Sequence, residues 1–136
     1  MIDTVKKIFS STNTAEEVKT SEPVEEIVRK YPNIKSIEIE SFKQLNETIA
    51  KYENVVLDFW APWCGPCRML MSVLEDISYE DNNIVILKIN TDENMGIADK
   101  LKIKSVPTLV FFKDNIETYR HIGIATKAQI LEEFNL

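Results

Sequence analysis

The chain contains two cysteines in 136 residues, Cys64 and Cys67, and they lie three positions apart in Cys64-Gly65-Pro66-Cys67. A disulfide stabilises a fold mainly by closing a long loop in the unfolded chain. A bridge across two residues closes almost none, so this pair is poorly suited to stapling. It is well suited to thiol–disulfide exchange, in which a thiolate attacks a disulfide sulfur. The competing chemistry is metal binding, because a CxxC is half of a zinc site. Zinc takes four ligands. No second CxxC is present and His121 is the sole histidine. Only a site bridging two chains would complete the set, so no metal is expected.

The elements that must position this pair are legible from periodicity. Ile37–Glu40 alternates as a half-buried strand does. Ser41 can cap a helix that carries Phe42, Leu45 and Ile49 to about Lys51. Val55–Trp60 is a short, nearly continuous apolar run, as in a strand covered on both faces. The pair follows directly. Met69, Leu70, Val73, Leu74 and Ile77 then keep helical spacing to about Tyr79. Ile84–Ile89 reads as another buried strand, and residues 95–101 as a short helix. Thr108–Phe112 and Thr118–Ile122 flank a polar turn at Lys113–Glu117, which suggests a hairpin. Thr126 can cap a last helix with Ile130, Leu131 and Phe134 on its apolar side. The order βαβαβαββα implies an α/β fold, with helices on both faces of a mixed sheet. Right-handed crossovers make its first strands parallel.

Residues 1–33 differ from this regular region at 34–136. Residues 1–20 are expected to be mobile. Val24, Ile27, Val28 and Tyr31 mark one apolar face of a helix at about 22–31, which Pro32 ends. Ile2, Val5, Ile8 and Phe9 with Lys6 and Lys7 form a short, weakly basic segment. It would bind lipid marginally, so membrane contact is not expected. No apolar run nears the roughly 18 residues of a membrane helix, and no signal-peptide h-region follows Met1. Cytoplasm is the expected location. The net charge is −6, with eleven basic and sixteen acidic side chains in 34–136. An acidic domain repels phosphate backbones, so no nucleic-acid partner is expected.

Four segments together resemble the thioredoxin family. Asp58–Cys67 (DFWAPWCGPC) looks like its active-site signature, and Lys104–Leu109 (KSVPTL) resembles its cis-proline segment, with Pro107 forty residues after Cys67. Lys88–Asp92 (KINTD) and His121–Gly123 (HIG) also fall where the family carries counterparts. The resemblance covers about Ile34 to Leu136. It implies the thioredoxin fold and reduction of protein disulfides. It further implies a monomer with no bound cofactor, and a thioredoxin reductase as the source of electrons.

Within that resemblance each residue takes a role. Cys64 stands at a helix start, where free N–H groups and the helix dipole favour a thiolate, and is the nucleophile. Cys67, one turn in, resolves the mixed disulfide. Gly65 lets a substrate backbone approach, and Pro66 stiffens the turn. Asp58 interrupts an apolar run; if buried, its pKa rises and it can relay the Cys67 proton. The alternative is a strand-end aspartate in solvent. Lys88 is a candidate partner of Asp58, or a surface lysine lying along the sheet. Pro107 alone favours a trans bond; the family match makes it cis and brings the Val106 backbone beside Cys64 to pair with substrate. Trp63 is expected to be exposed over the site. Trp60 packs on the active-site helix or simply fills the core. Gly123 completes the docking groove or marks a bulge. Ser72 replaces a helix-kinking proline common in the family, and Asn115 replaces a turn glycine. The 33-residue extension has no family counterpart.

Three other readings compete. A disulfide oxidase or isomerase of the same fold would be expected to carry a CxHC-type centre, which is missing here. A thioredoxin-like protein dedicated to one partner would use its extension for docking. A non-catalytic assembly module would not need intact Cys64, Cys67, Asp58 and Pro107.

Overall fold

The computed structural model describes residues 18–19, 36–80 and 83–136. The two apolar runs at the middle of the sequence become the middle of the sheet. Asn54–Trp60 forms strand β3 and Ile84–Asn90 forms β4, paired in parallel. β4 is buried along its whole length, and β3 up to Phe59. Outside β4 lies β2 (Ser36–Glu38), also parallel. On the other side, β5 (Thr108–Lys113) runs antiparallel to β3, and β6 (Ile116–Ile122) antiparallel to β5. A two-residue strand β1 (Val18–Lys19) pairs in parallel with β2 and completes the order β1-β2-β4-β3-β5-β6.

Helices cover both faces. Leu45 and Ile49 of α1 (Phe42–Lys51) and Ile97 of α3 (Met95–Lys100) pack on Val55, Leu57 and Phe59. The opposite face carries Val56, Ile84, Ile86, Leu109 and Phe111. There they meet Leu70, Leu74 and Ile77 of α2 (Gly65–Tyr79) and Ile130 of α4 (Lys127–Glu132). The strand pleat thus sends odd-numbered β3 residues to one layer and even-numbered ones to the other. The caps form as the sequence implies. Ser41 Oγ accepts the Gln44 N–H at 3.1 Å. Thr126 and Gln129 make a reciprocal capping box. α2 runs unbroken through Ser72.

Two details depart from the sequence reading. β2 is not half-buried: Ser36, Ile37, Glu38 and Ile39 are all buried. An acidic residue in an alternating run signals solvent, and here Glu38 lies inside. The β5–β6 turn is shorter than Lys113–Glu117. It is Asp114-Asn115, both at positive φ (50° and 68°), a geometry that suits the right-handed twist of a tight hairpin. Val18–Lys19 form an edge strand. The helix expected at about 22–31 lies outside the described residues.

Leu57 is fully buried at the centre of the first layer. Leu57→Ala is therefore expected to lower the unfolding free energy by about 2–5 kcal/mol, and Thr126→Ala by about 1 kcal/mol through the lost cap. Urea unfolding checks both; equal costs for the two would contradict this division between core and cap.

Candidate active site

Trp60, at the end of β3, passes directly into the cysteine segment. Its carbonyl accepts the Thr91 N–H at 2.9 Å and the Thr91 hydroxyl at 3.2 Å, which fixes the strand end. The Cys64 N–H donates to the Ala61 carbonyl at 3.1 Å. The Arg68 guanidinium reaches back over the first turn of α2 to the Pro62 carbonyl at 2.9 Å. Cys64 thereby becomes the N-cap of α2. Its Sγ accepts the Cys67 N–H at 3.2 Å. Pro66 sits in the first turn, where a missing N–H leaves no helical bond unmade.

Cys64 and Cys67 are joined as a disulfide, with Cα atoms 5.3 Å apart. Both are almost fully buried, at 4% and 1% exposure. Ala61, Trp60 and Val106 pack around them. The Val106–Pro107 peptide is cis. The Pro107 carbonyl accepts the Gly123 N–H at 2.9 Å, with Gly123 at φ +97°. Gly123 therefore joins the cis-proline segment through a backbone bond, and the register shift of this hairpin lies elsewhere, at Phe111/Phe112. Space above Gly65 is open. Trp63 is 69% exposed, and its indole N–H donates to the Asp92 carboxylate at 3.1 Å.

Asp58 is 1% exposed and shares with Val56 the face of β3 that α2 covers. Neither of its carboxyl oxygens has a hydrogen-bond partner among the described residues. Burial pushes its pKa up to about 7, against a smaller downward pull from the Lys88 charge. Lys88 stands opposite Asp58 in the β3–β4 register and is buried, with Nζ 3.8 Å from the Met71 sulfur. The solvent alternatives for Asp58 and Lys88 do not hold. His121 does not join the cysteines; its ring meets the Ile124 carbonyl at 2.9 Å, beside Tyr119. Among the described residues no group of three or more His, Cys, Asp or Glu side chains is arranged to hold a metal ion.

Sequence reasoning assigned no role to Asp92, Arg68, Ile122 or Ile124. Ile122 and Ile124 flank Gly123 and are exposed at 70% and 46%. The signal for them was available: two large aliphatics on either side of a glycine, next to a segment already suspected of docking.

The family model for thioredoxin matches residues 33–135. The thioredoxin of Mycoplasma genitalium is 39% identical over 98 residues, covering 72% of this chain and 96% of that protein. That of Pyropia yezoensis is 44% identical over 96 residues, covering 70% and 88%. The solved structure of a mutant thioredoxin from Halobacterium salinarum superimposes with a TM-score of 0.69 at 30% identity, covering 74% and 88% of the two chains. The chain belongs to the thioredoxin family. It is a thiol–disulfide oxidoreductase, a protein-disulfide reductase of the thioredoxin type.

In this thioredoxin-family fold the raised Asp58 pKa has a definite sign in stability. Between about pH 4 and 7 the folded chain retains a proton that the unfolded chain releases. Stability is then lost as pH rises through that window, and the full penalty persists above it. With about 1.4 kcal/mol for each pKa unit, that penalty is at most about 4 kcal/mol. Asp58→Asn is expected to gain on the native chain by about 2–4 kcal/mol between pH 4 and 8. Urea unfolding at the two pH values reads this, and a pH-independent difference would mean that Asp58 keeps an ordinary carboxyl pKa.

Proposed function

We propose that Cys64 is the nucleophile, Cys67 the resolving thiol and Asp58 the group that moves the Cys67 proton. The observation that carries this reading is the Cys67 N–H aimed at Cys64 Sγ on the first turn of α2. In the reduced protein that N–H and the helix terminus favour negative charge on this sulfur over the other.

The reaction divides into two exchanges. The Cys64 thiolate attacks one sulfur of a substrate disulfide, forming a mixed disulfide and expelling the other sulfur as a thiolate. Cys67 then loses its proton to Asp58 and attacks the Cys64 sulfur. The Cys64–Cys67 disulfide forms and the substrate leaves with two electrons gained. Protons taken up from solvent complete its two thiols. A carboxyl with a pKa of about 7 is matched to this transfer, because it is ready to accept a proton near neutral pH and to return it.

Trp63, Val106, Pro107 and Gly123 form the substrate-docking surface in this reading, with Gly65 leaving room above the sulfurs. Supporting it are the exposed indole, the backbone bond from Gly123 to Pro107, and the apolar flank of Ile122 and Ile124. A substrate segment laid along Val106 can pair as an added strand. Trp60 and Pro66 shape the site without touching substrate, and Lys88 balances the Asp58 charge. The protein works as a cytoplasmic monomer without a bound cofactor, re-reduced by a thioredoxin reductase. No helix among the described residues is long and apolar enough to cross a membrane.

Insulin reduction with dithiothreitol or a thioredoxin reductase as donor tests the assignment. Cys64→Ser is expected to fall to the rate of the donor alone. Cys67→Ser should accumulate mixed disulfides with substrate. Asp58→Asn should slow turnover by up to about a hundredfold and lose the inflection near pH 7. An unchanged rate in Cys64→Ser would remove the enzyme from this site. The reduction potential is a second check: a value above about −200 mV would place the protein with oxidants or isomerases.

A further inference from the structure

Three charged residues stand side by side across the sheet. The register pairs Asp58 of β3 with Lys88 of β4, and Lys88 in turn with Glu38 of β2. They are 1%, 7% and 5% exposed. Paired residues of adjacent parallel strands project to the same face about 4.8 Å apart. The Lys88 stem therefore stands between two carboxylate-bearing positions roughly 10 Å from each other. The shared face is the one under α2. Val56 and Ile86, two residues before Asp58 and Lys88, pack against that helix, and Lys88 Nζ reaches Met71 on it.

The redox chemistry uses Asp58 and gives Glu38 nothing to do. Yet a carboxylate taken out of water is costly unless a cation answers it. Lys88 is the cation in register with Glu38 on the side toward the active site. One ammonium shared by two carboxylates serves each less than it would serve one alone.

We propose that Glu38 is a positioning residue for the proton relay, drawing on the charge of Lys88 so that Lys88 does not hold Asp58 ionised. This rests on the reading of Asp58 as the proton-moving group. Burial raises the Asp58 pKa and Lys88 pulls it back. An undivided Lys88 would pull harder, so removing the Glu38 charge lowers the pH at which Asp58 ionises.

Among the described residues, the other groups around Asp58 do not supply this effect. Across β5 its register partner is Leu109, which is apolar. From α2 the inward residues are Cys67, Leu70 and the half-buried Met71, while Arg68, Glu75 and Asp76 are not buried against it. On the far side of Glu38, Lys19 of β1 stands opposite it in the backbone register.

The test is the carboxyl carbon-13 titration of Asp58 in the full chain, read in both redox states. Glu38→Gln is expected to lower the midpoint by about half a unit to one unit. Lys88→Met should raise it and reduce the response to Glu38→Gln to less than half. Lys88→Arg, which keeps the cation and guards against loss of folding in the methionine variant, should retain that response. An unmoved midpoint in Glu38→Gln overturns the proposal. So does a response undiminished in the Lys88→Met background, since Glu38 would then act without Lys88. The titration reports Asp58 whether or not it moves the Cys67 proton. Failure of the relay itself would appear instead in the pH profile of Asp58→Asn turnover.

Discussion

The Cys67 N–H points at Cys64 Sγ across the first turn of α2, and the rest of the domain serves to keep that turn in place. The first amides of a helix have no partner within it, and which of them meets Cys64 Sγ depends on how the chain enters the helix. Here the entry is set by a buried central strand, β3, which runs straight into the cysteine segment. Trp60 is tied to Thr91, Cys64 to Ala61, and Arg68 to Pro62. The apolar layer of Leu70, Leu74 and Ile77 then clamps the helix on the sheet. The placing of that amide against the sulfur is thus a product of hydrophobic packing several residues away.

That arrangement explains which parts of the site were visible in the sequence. Cys64, Cys67 and Pro66 are local: their spacing carries the geometry. Asp58 was legible because it breaks a run that otherwise reads as core, and burial of the run forces burial of the carboxyl. Lys88 was half legible. Its strand was clear, but whether its charge reached Asp58 depended on a register between segments thirty residues apart. Glu38 was misread because alternation is a statement about one strand. The burial of β2 on both faces is set by tertiary packing, which alternation along one strand does not report. Long-range pairing, rather than local propensity, set the limit.

The contacts around Trp63 and Gly123 show the same division. Trp63 was expected to be exposed and is, but its tether to Asp92 joins two loops distant in sequence. Gly123 was read as a groove residue or a bulge; it adopts a φ of +97° and lies away from the register shift at Phe111/Phe112. What periodicity could not supply is that its N–H meets the carbonyl of Pro107. The hairpin turn is tighter than the polar run Lys113–Glu117 suggests, because Asp114 and Asn115 both adopt positive φ. Asparagine and aspartate tolerate that region better than most other residues with a side chain.

Only 4% of Cys64 is accessible, although the surface around it carries exposed Trp63, Ile122 and Ile124. With Cys64 as the attacking sulfur, as proposed, such a recess would sort clients by mechanics. A disulfide held in a rigid, well-packed domain would reach it less readily than one in a loop that opens locally. The speed of reduction would then follow how often the client frays, and the protein would act as a reader of local unfolding in other chains.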